Sequence, residues 1–340
     1  MAMIYAGIDE AGYGPVMGPL VVARSAFSPG SFPGSFELTS DGAAPCCLWQ
    51  AMKAGVCRTA AESRKTGKLA VNDSKKLHTK AAGLRYLEAA CLGFGQLAES
   101  AGAKSQAACV GQWLESAGRH ESLLPWYAAS EEHPWDALPV AVTAGELAVQ
   151  VNVLRQCCEQ AGVAVLEPPA PAVVFEDVFN RMAAATRSKA ALSFSFVAKH
   201  LDHIWRQCGE GRPAFVAVDR QSGRMRYREL LSDALPGAAM TVLEETEQRS
   251  AYRLEQPPRV MTVAFEVGAE EKHLPVALAS MTAKYARELM MARLNAWFIQ
   301  RIDGLQPTAG YATDGNRFLR EVQPHLARLG VDMRVLRRVV

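Results

Sequence analysis

At 340 residues, with 49% of them hydrophobic and 21% charged, the chain has enough apolar material for one large core or two smaller ones, which excludes a disordered or low-complexity polymer. The 37 Lys and Arg residues against 35 Asp and Glu leave a formal net charge of +2, which excludes a bulk polycation but not a local basic stripe. No apolar run reaches spanning length and the N-terminus reads as a strand rather than a secretory leader, so a soluble chain is expected. Eight cysteines form no C-x-x-C pair and have no histidines at zinc spacing; reduced thiols and a cytoplasmic location are expected.

In chain order, residues 3–9 and Leu20 to Phe27 read as strands flanking a glycine-rich turn, followed by a Ser/Gly/Pro-rich loop to about Ser40. Leu48 to Lys68 is weakly helical, interrupted by Gly55 and Gly67, and Asp73 is placed to cap a helix start over Ser74-Lys75-Lys76-Leu77. Thr79 to Leu97 reads as an amphipathic helix, Pro125 to Pro139 as a proline-broken loop, Thr143 to Ala161 as a helix and Pro168 to Pro171 as a proline-rich joint. The apolar stripe Leu192, Phe196, Leu201, Trp205 marks a helix over Ala183 to Cys208. Ala214 to Val218 is a buried strand ending at Asp219, and Ala238 to Glu245 and Val260 to Val267 are further strands. A long helix enters near Leu274 and carries Met281, Tyr285, Leu289, Leu294, Trp297 and Phe298. Strands interspersed with helices indicate an α/β fold. The stretch from Arg317 to Val340 supplies a basic stripe, Arg317, Arg320, Arg328, Arg334, Arg337 and Arg338 against Glu321 and Asp332; a solvated helix face with a charged tail is the alternative.

The densest chemistry lies in Gly-Ile-Asp-Glu-Ala-Gly-Tyr-Gly-Pro, Gly7 to Pro15. Neighbouring residues of a strand point to opposite faces, so Asp9 and Glu10 serve one site if the strand ends between them. Adjacent acids repel unless a cation or proton sits between them. A solvated turn with Asp capping a backbone N–H is the alternative. A dinucleotide loop is missed by one residue, because the glycines fall at Gly12, Gly14 and Gly18; no G-K-S/T follows, so a Walker loop is excluded. Two more acids end strand-like runs: Asp219 after Val218, and Glu270 beyond Val267, with Glu271 beside it. Carboxylates gathered at strand ends suit the hard-oxygen demand of Mg²⁺ or Mn²⁺. Lys75 and Lys76 are candidates for phosphate contact, and Ser280 and Lys284 lie one turn apart on one helix face.

These blocks carry a resemblance. Gly7 to Val21 resembles the opening motif of the type 2 ribonucleases H, the ribonuclease HII and HIII group, and Asp73-Ser-Lys-Lys-Leu77 resembles that family's next motif. Ala217-Val-Asp219 resembles the strand bearing its third acid, Ala269-Glu270 with Val276 to Tyr285 its fourth block, and Gly310-Tyr311-Ala312-Thr313 its late Gly-Tyr-Pro-Thr motif. Departures are Tyr13 where the HII branch usually has Arg, Glu270 and a long Asp219–Glu270 separation that are closer to HIII, and a tail reduced to Arg337-Arg338-Val339-Val340.

The resemblance implies one RNase H-like catalytic domain over residues 1–340, with a mixed, mainly five-stranded sheet flanked by helices. Insertions fall at about 30–70 and 100–175, and a helical C-terminal portion at about 275–340. It implies a site of Asp9, Glu10, Asp219 and Glu270 holding two Mg²⁺ or Mn²⁺ ions. It further implies cleavage of the RNA strand of RNA/DNA hybrids, or at ribonucleotides in duplex DNA, to 3′-hydroxyl and 5′-phosphate ends. Gly12, Tyr13, Gly14 and Tyr311 become the candidates for meeting the ribose 2′-OH, and Lys75, Lys76, Ser280 and Lys284 for positioning phosphates or supporting the acids. A diverged nucleic-acid-binding protein with little turnover, or a metal-dependent nuclease or phosphatase of other specificity, remain as alternatives.

Overall fold

A computed structural model describes residues 3–30, 46–100, 108–116, 124–209, 212–220 and 223–339, with the side chains of residues 99, 100 and 116 excepted. The loop expected up to about Ser40, like parts of both expected insertions, lies mostly outside the described residues. The sheet strands are β1 (Ile4–Ala11), β2 (Leu20–Pro29), a short parallel pair β3 (Val56–Cys57) and β4 (Leu69–Ala70), β5 (Val163–Val174), β6 (Ala214–Asp219), β7 (Ala239–Glu245), β8 (Arg249–Gln256) and β9 (Arg259–Glu266). The main sheet is mixed and has seven strands in the order β5-β2-β1-β6-β9-β8-β7. The three central strands β1, β6 and β9 run parallel, and the outer pairings are antiparallel. The expected α/β architecture with a mixed sheet between helices is present; β5 and β8, neither of them anticipated, extend the sheet beyond the five strands expected.

Period-two alternation builds a core on each face. Met3 and Tyr5 join Val21, Ala23, Phe27, Phe215 and Ala217 on one side; Ile4, Ala6 and Ile8 join Leu20, Val22, Val216 and Val218 on the other. The first face is covered by the helix Leu274–Ile299, whose residues are buried nearly all round, as suits a helix with apolar contacts on every side. Its first turn, with Pro275 at the start, lies directly on β1: a Cβ at Gly7 would fall 2.2 Å from the carbonyl carbon of Pro275. The second face is covered by the helix Lys189–Gln207, where Leu192, Phe196, Leu201 and Trp205 are buried as the stripe predicts.

The Pro168–Pro171 joint is part of the twelve-residue β5, because β5 is an edge strand, where missing N–H donors cost nothing to a further neighbour. Leu48 to Lys68, expected as weak helix interrupted at Gly55 and Gly67, holds two short helices, Leu48–Ala51 and Ala60–Thr66, with the strand β3 between them. The helix expected from Thr79 begins at Arg85. The Ala183–Cys208 helix is two, Glu176–Thr186 and Lys189–Gln207, broken where Arg187 takes φ 51° and Ser188 caps the second. Thr143 forms a capping box with Glu146 for the helix Ala144–Ala161. The loop before that helix is fastened to the helix Arg85–Ser100 by fully buried Glu88, which accepts from the N–H groups of Val140, Ala141 and Val142.

Candidate active site

β1 does not end between Asp9 and Glu10. It stays paired with β2 through Ala11, while its pairing with β6 stops at Ile8 opposite Val218. The two strands part just where the acids begin, so Glu10 points to the other face yet stands beside a gap in the sheet. Asp9 shares the face of Tyr5 and Gly7, and Asp219 that of Phe215 and Ala217; both are turned toward the helix Leu274–Ile299. Adjacent parallel strands therefore deliver these two carboxylates side by side.

The electrostatics show how close the acids are. Asp9 is buried, and that burial, then Asp219 and Glu10, push its carboxyl well above the usual carboxylate range against an opposing hydrogen bond from Ser280. Burial and then Glu270 push Asp219 up as well, although Asp219 accepts the N–H of Ala269 at 3.2 Å. Glu270 sits in the first turn of the short helix Ala269–Lys272, delivered by Gly268 at φ 63°, and its Oε2 is buried without a hydrogen-bond partner. Glu271 points elsewhere: it is exposed and pairs with Lys76 at 2.5 Å. Of the two adjacent glutamates, Glu270 is the one that faces Asp219.

The supporting residues are assembled from distant segments. Asp73 caps Ser74–Leu77 by accepting from the Lys75 N–H at 3.0 Å. Ser280 Oγ and Ser74 Oγ share a hydrogen bond at 3.1 Å, both residues buried. Lys284 is tied to Glu288 at 2.6 Å on its own helix, and the Lys75 side chain is exposed. Gly12 takes φ 84°, where a Cβ would strike the Pro19 carbonyl and Arg287. Gly14 is exposed and has open space where a Cβ would sit. Gly310, at φ 82°, accepts from the N–H groups of Val16 and Met17, which brings Tyr311 to the same turn; its ring is 50% exposed and lies 5.4 Å from the Arg287 guanidinium.

Beneath the turn lies a buried polar layer that motif reading missed. Arg338 is 1% exposed and donates to the carbonyls of Gly12, Tyr13 and Gly18. Glu176, fully buried, accepts from the Gly18 N–H at 3.0 Å and the Tyr127 hydroxyl at 3.1 Å; burial pushes its carboxyl up to about 7, with Arg338 among the groups pulling it down. Arg287 donates to the Ala309 carbonyl at 2.9 Å. The only sequence signal for this layer was a pair of arginines in the C-terminal tail. The basic stripe itself is largely spent on local pairs: Arg317 with Asp314 and Glu321, Arg334 with Asp332, and Arg328 with the Arg301 carbonyl.

Among the described residues, no three His, Cys, Asp or Glu side chains close into a metal-ligand set. The donor chemistry nevertheless fits a hard divalent cation: carboxylate oxygens alone, mutually repelling, with the buried Glu270 Oε2 lacking a partner. Among the described residues, no helix is long and apolar enough to cross a membrane.

No protein-family model matches the chain, and no curated protein does. Solved structures similar to it include a PCNA:RNase HII complex from Archaeoglobus fulgidus, at 17% identity over 99% of this chain and 94% of that one, TM-score 0.40. The ribonuclease H2 of Pyrococcus horikoshii is similar at 14% identity over 98% and 92%, TM-score 0.41. Bst-RNase HIII in complex with Mn²⁺ is similar at 12% identity over 99% and 66%, TM-score 0.41. The function is therefore read from the chain's own residues.

Proposed function

We propose that the chain is a metal-dependent endoribonuclease that cleaves the RNA strand of RNA/DNA hybrids, or at ribonucleotides in duplex DNA, leaving 3′-hydroxyl and 5′-phosphate ends. The observation that carries this reading is the placement of Asp9 and Asp219 on one face where two adjacent parallel strands part, with Glu10 and Glu270 close enough to raise their proton affinity. Clustered carboxylates oppose folding and repel a polyanion, so a protein that only bound nucleic acid would gain nothing from them. The order of the sequence blocks supports the same reading.

Asp9, Glu10, Asp219 and Glu270 would hold Mg²⁺ or Mn²⁺. When bound, the metal supplies charge stabilisation at the scissile phosphate and a nucleophilic water at neutral pH. Ser280, linked to both Asp9 and Ser74, would fix the Asp9 carboxylate. The backbone of Gly12 to Gly14 and the exposed ring of Tyr311 would meet the ribose, where the 2′-OH distinguishes RNA from DNA. Lys75 would contact a phosphate directly; Lys76 and Lys284 would first have to leave Glu271 and Glu288.

A labelled set of duplexes tests this: RNA/DNA hybrid, DNA with one ribonucleotide, all-DNA duplex and single-stranded RNA, each with Mg²⁺ or Mn²⁺. Cleavage confined to the first two, with 3′-hydroxyl products, is expected. Equal cleavage of all-DNA duplex indicates another nuclease, and no cleavage of any substrate overturns the proposal.

A further inference from the structure

We propose that Lys189 binds a backbone phosphate of the nucleic-acid substrate, held beside the Gly12–Gly14 turn by the ring of Tyr13. The Lys189 ammonium lies 4.9 Å from the centre of the Tyr13 ring, whose negative face attracts a cation. The residue is half-buried, and among the described residues no carboxylate pairs with it. Burial and the Arg338 guanidinium both work against its charge and hold the amine below its usual range. Arg338 cannot share an anion with it freely, being committed to the carbonyls of Gly12, Tyr13 and Gly18 with Glu176 as its buried counter-charge.

A half-buried ammonium without an anion is unfavourable unless an anion arrives from outside. Lys189 is also fixed in place. It opens the helix Lys189–Gln207 behind the Arg187 turn, and the Ser188 side chain accepts the Ala191 N–H at 3.2 Å. The site thus combines a turn with exposed backbone, an aromatic face and an unpaired cation, and a lysine suits a phosphodiester as a point charge. That the anion is a nucleic-acid phosphate rests on the ribonuclease reading.

The test is fluorescence anisotropy of the full chain with a labelled RNA/DNA hybrid and an all-DNA duplex of the same sequence, in EDTA, from about 50 to 200 mM salt. Lys189→Ala is expected to weaken both duplexes alike and reduce the magnitude of the log–log salt slope by about one. Lys189→Arg should keep the slope, and Tyr13→Ala should lose part of the affinity that Tyr13→Phe retains. With Mg²⁺ and hybrid, Lys189→Ala should raise KM and leave kcat unchanged. An unaltered salt slope in Lys189→Ala overturns the proposal, as does wild-type protein that binds neither duplex. Cleavage by wild type with an unaltered slope removes Lys189 and leaves the ribonuclease reading intact. A slope change without any cleavage does the reverse.

Discussion

Glu176 gives the sharpest prediction about the layer beneath the glycine turn. Its carboxyl is fully buried, and burial lifts it from an ordinary 4.5 to about 7. Between those values the folded protein keeps a proton that the unfolded chain has released, so stability falls as pH rises from about 4.5 to 7 and stays lower above it. A shift of about 2.5 units corresponds to roughly 3 kcal/mol, of which about 2.5 kcal/mol falls between pH 5 and pH 8. Glu176→Gln cannot titrate, yet its amide oxygen can still accept from Gly18 and Tyr127. The stability of Glu176→Gln minus that of wild type should therefore rise by about 2.5 kcal/mol from pH 5 to pH 8, read from urea unfolding at each pH in EDTA. Taking the difference cancels the other carboxylates. A difference that is constant with pH, or that shrinks toward pH 8, refutes the reasoning.

Other outcomes follow from the same contacts. Gly7→Ala should cost about 3 kcal/mol or more, because its Cβ would meet the backbone of Pro275 and Val276 rather than a yielding side chain; thermal unfolding reads it, and an unchanged melting temperature contradicts the packing of that helix on β1. Arg338→Ala should lose about 3 kcal/mol or more, since it leaves the carbonyls of Gly12, Tyr13 and Gly18 without their donor; denaturant midpoints within error of wild type would sink this. Glu271→Ala should retain activity and melt as wild type does, as its pair with Lys76 is exposed, whereas Glu270→Ala should lose metal-dependent cleavage. Equal activity in both variants removes Glu270 from the site.

The parts of this molecule legible in its sequence are those set by local pattern. Apolar runs marked β1, β2, β6, β7 and β9, and the stripe through Leu192 and Trp205 marked a helix that buries those residues. Asp9 and Asp219 were legible as neighbours of apolar runs, since each follows the buried stretch of its strand. What escaped depends on tertiary position. The prolines of 168–171 look like a break until β5 is known to be the sheet edge. The half-polar β8, Arg249–Gln256, is a strand because β7 and β9 flank it. Asp9 and Glu10 both stand beside the gap where β1 and β6 part after Ile8, although the strand continues. Arg338 and Glu176, 162 positions apart in the chain, both bind the Gly12–Gly18 turn, and nothing in either neighbourhood signals it.

The proposed role of the acids on the parting strands in metal-dependent hydrolysis is decided by cleavage of a labelled RNA/DNA hybrid by wild type, Asp9→Asn and Asp219→Asn with Mg²⁺ or Mn²⁺, each variant first shown to unfold cooperatively. Metal-dependent cleavage by wild type and none by either folded variant is expected. Undiminished cleavage by both variants would remove these acids from the reaction.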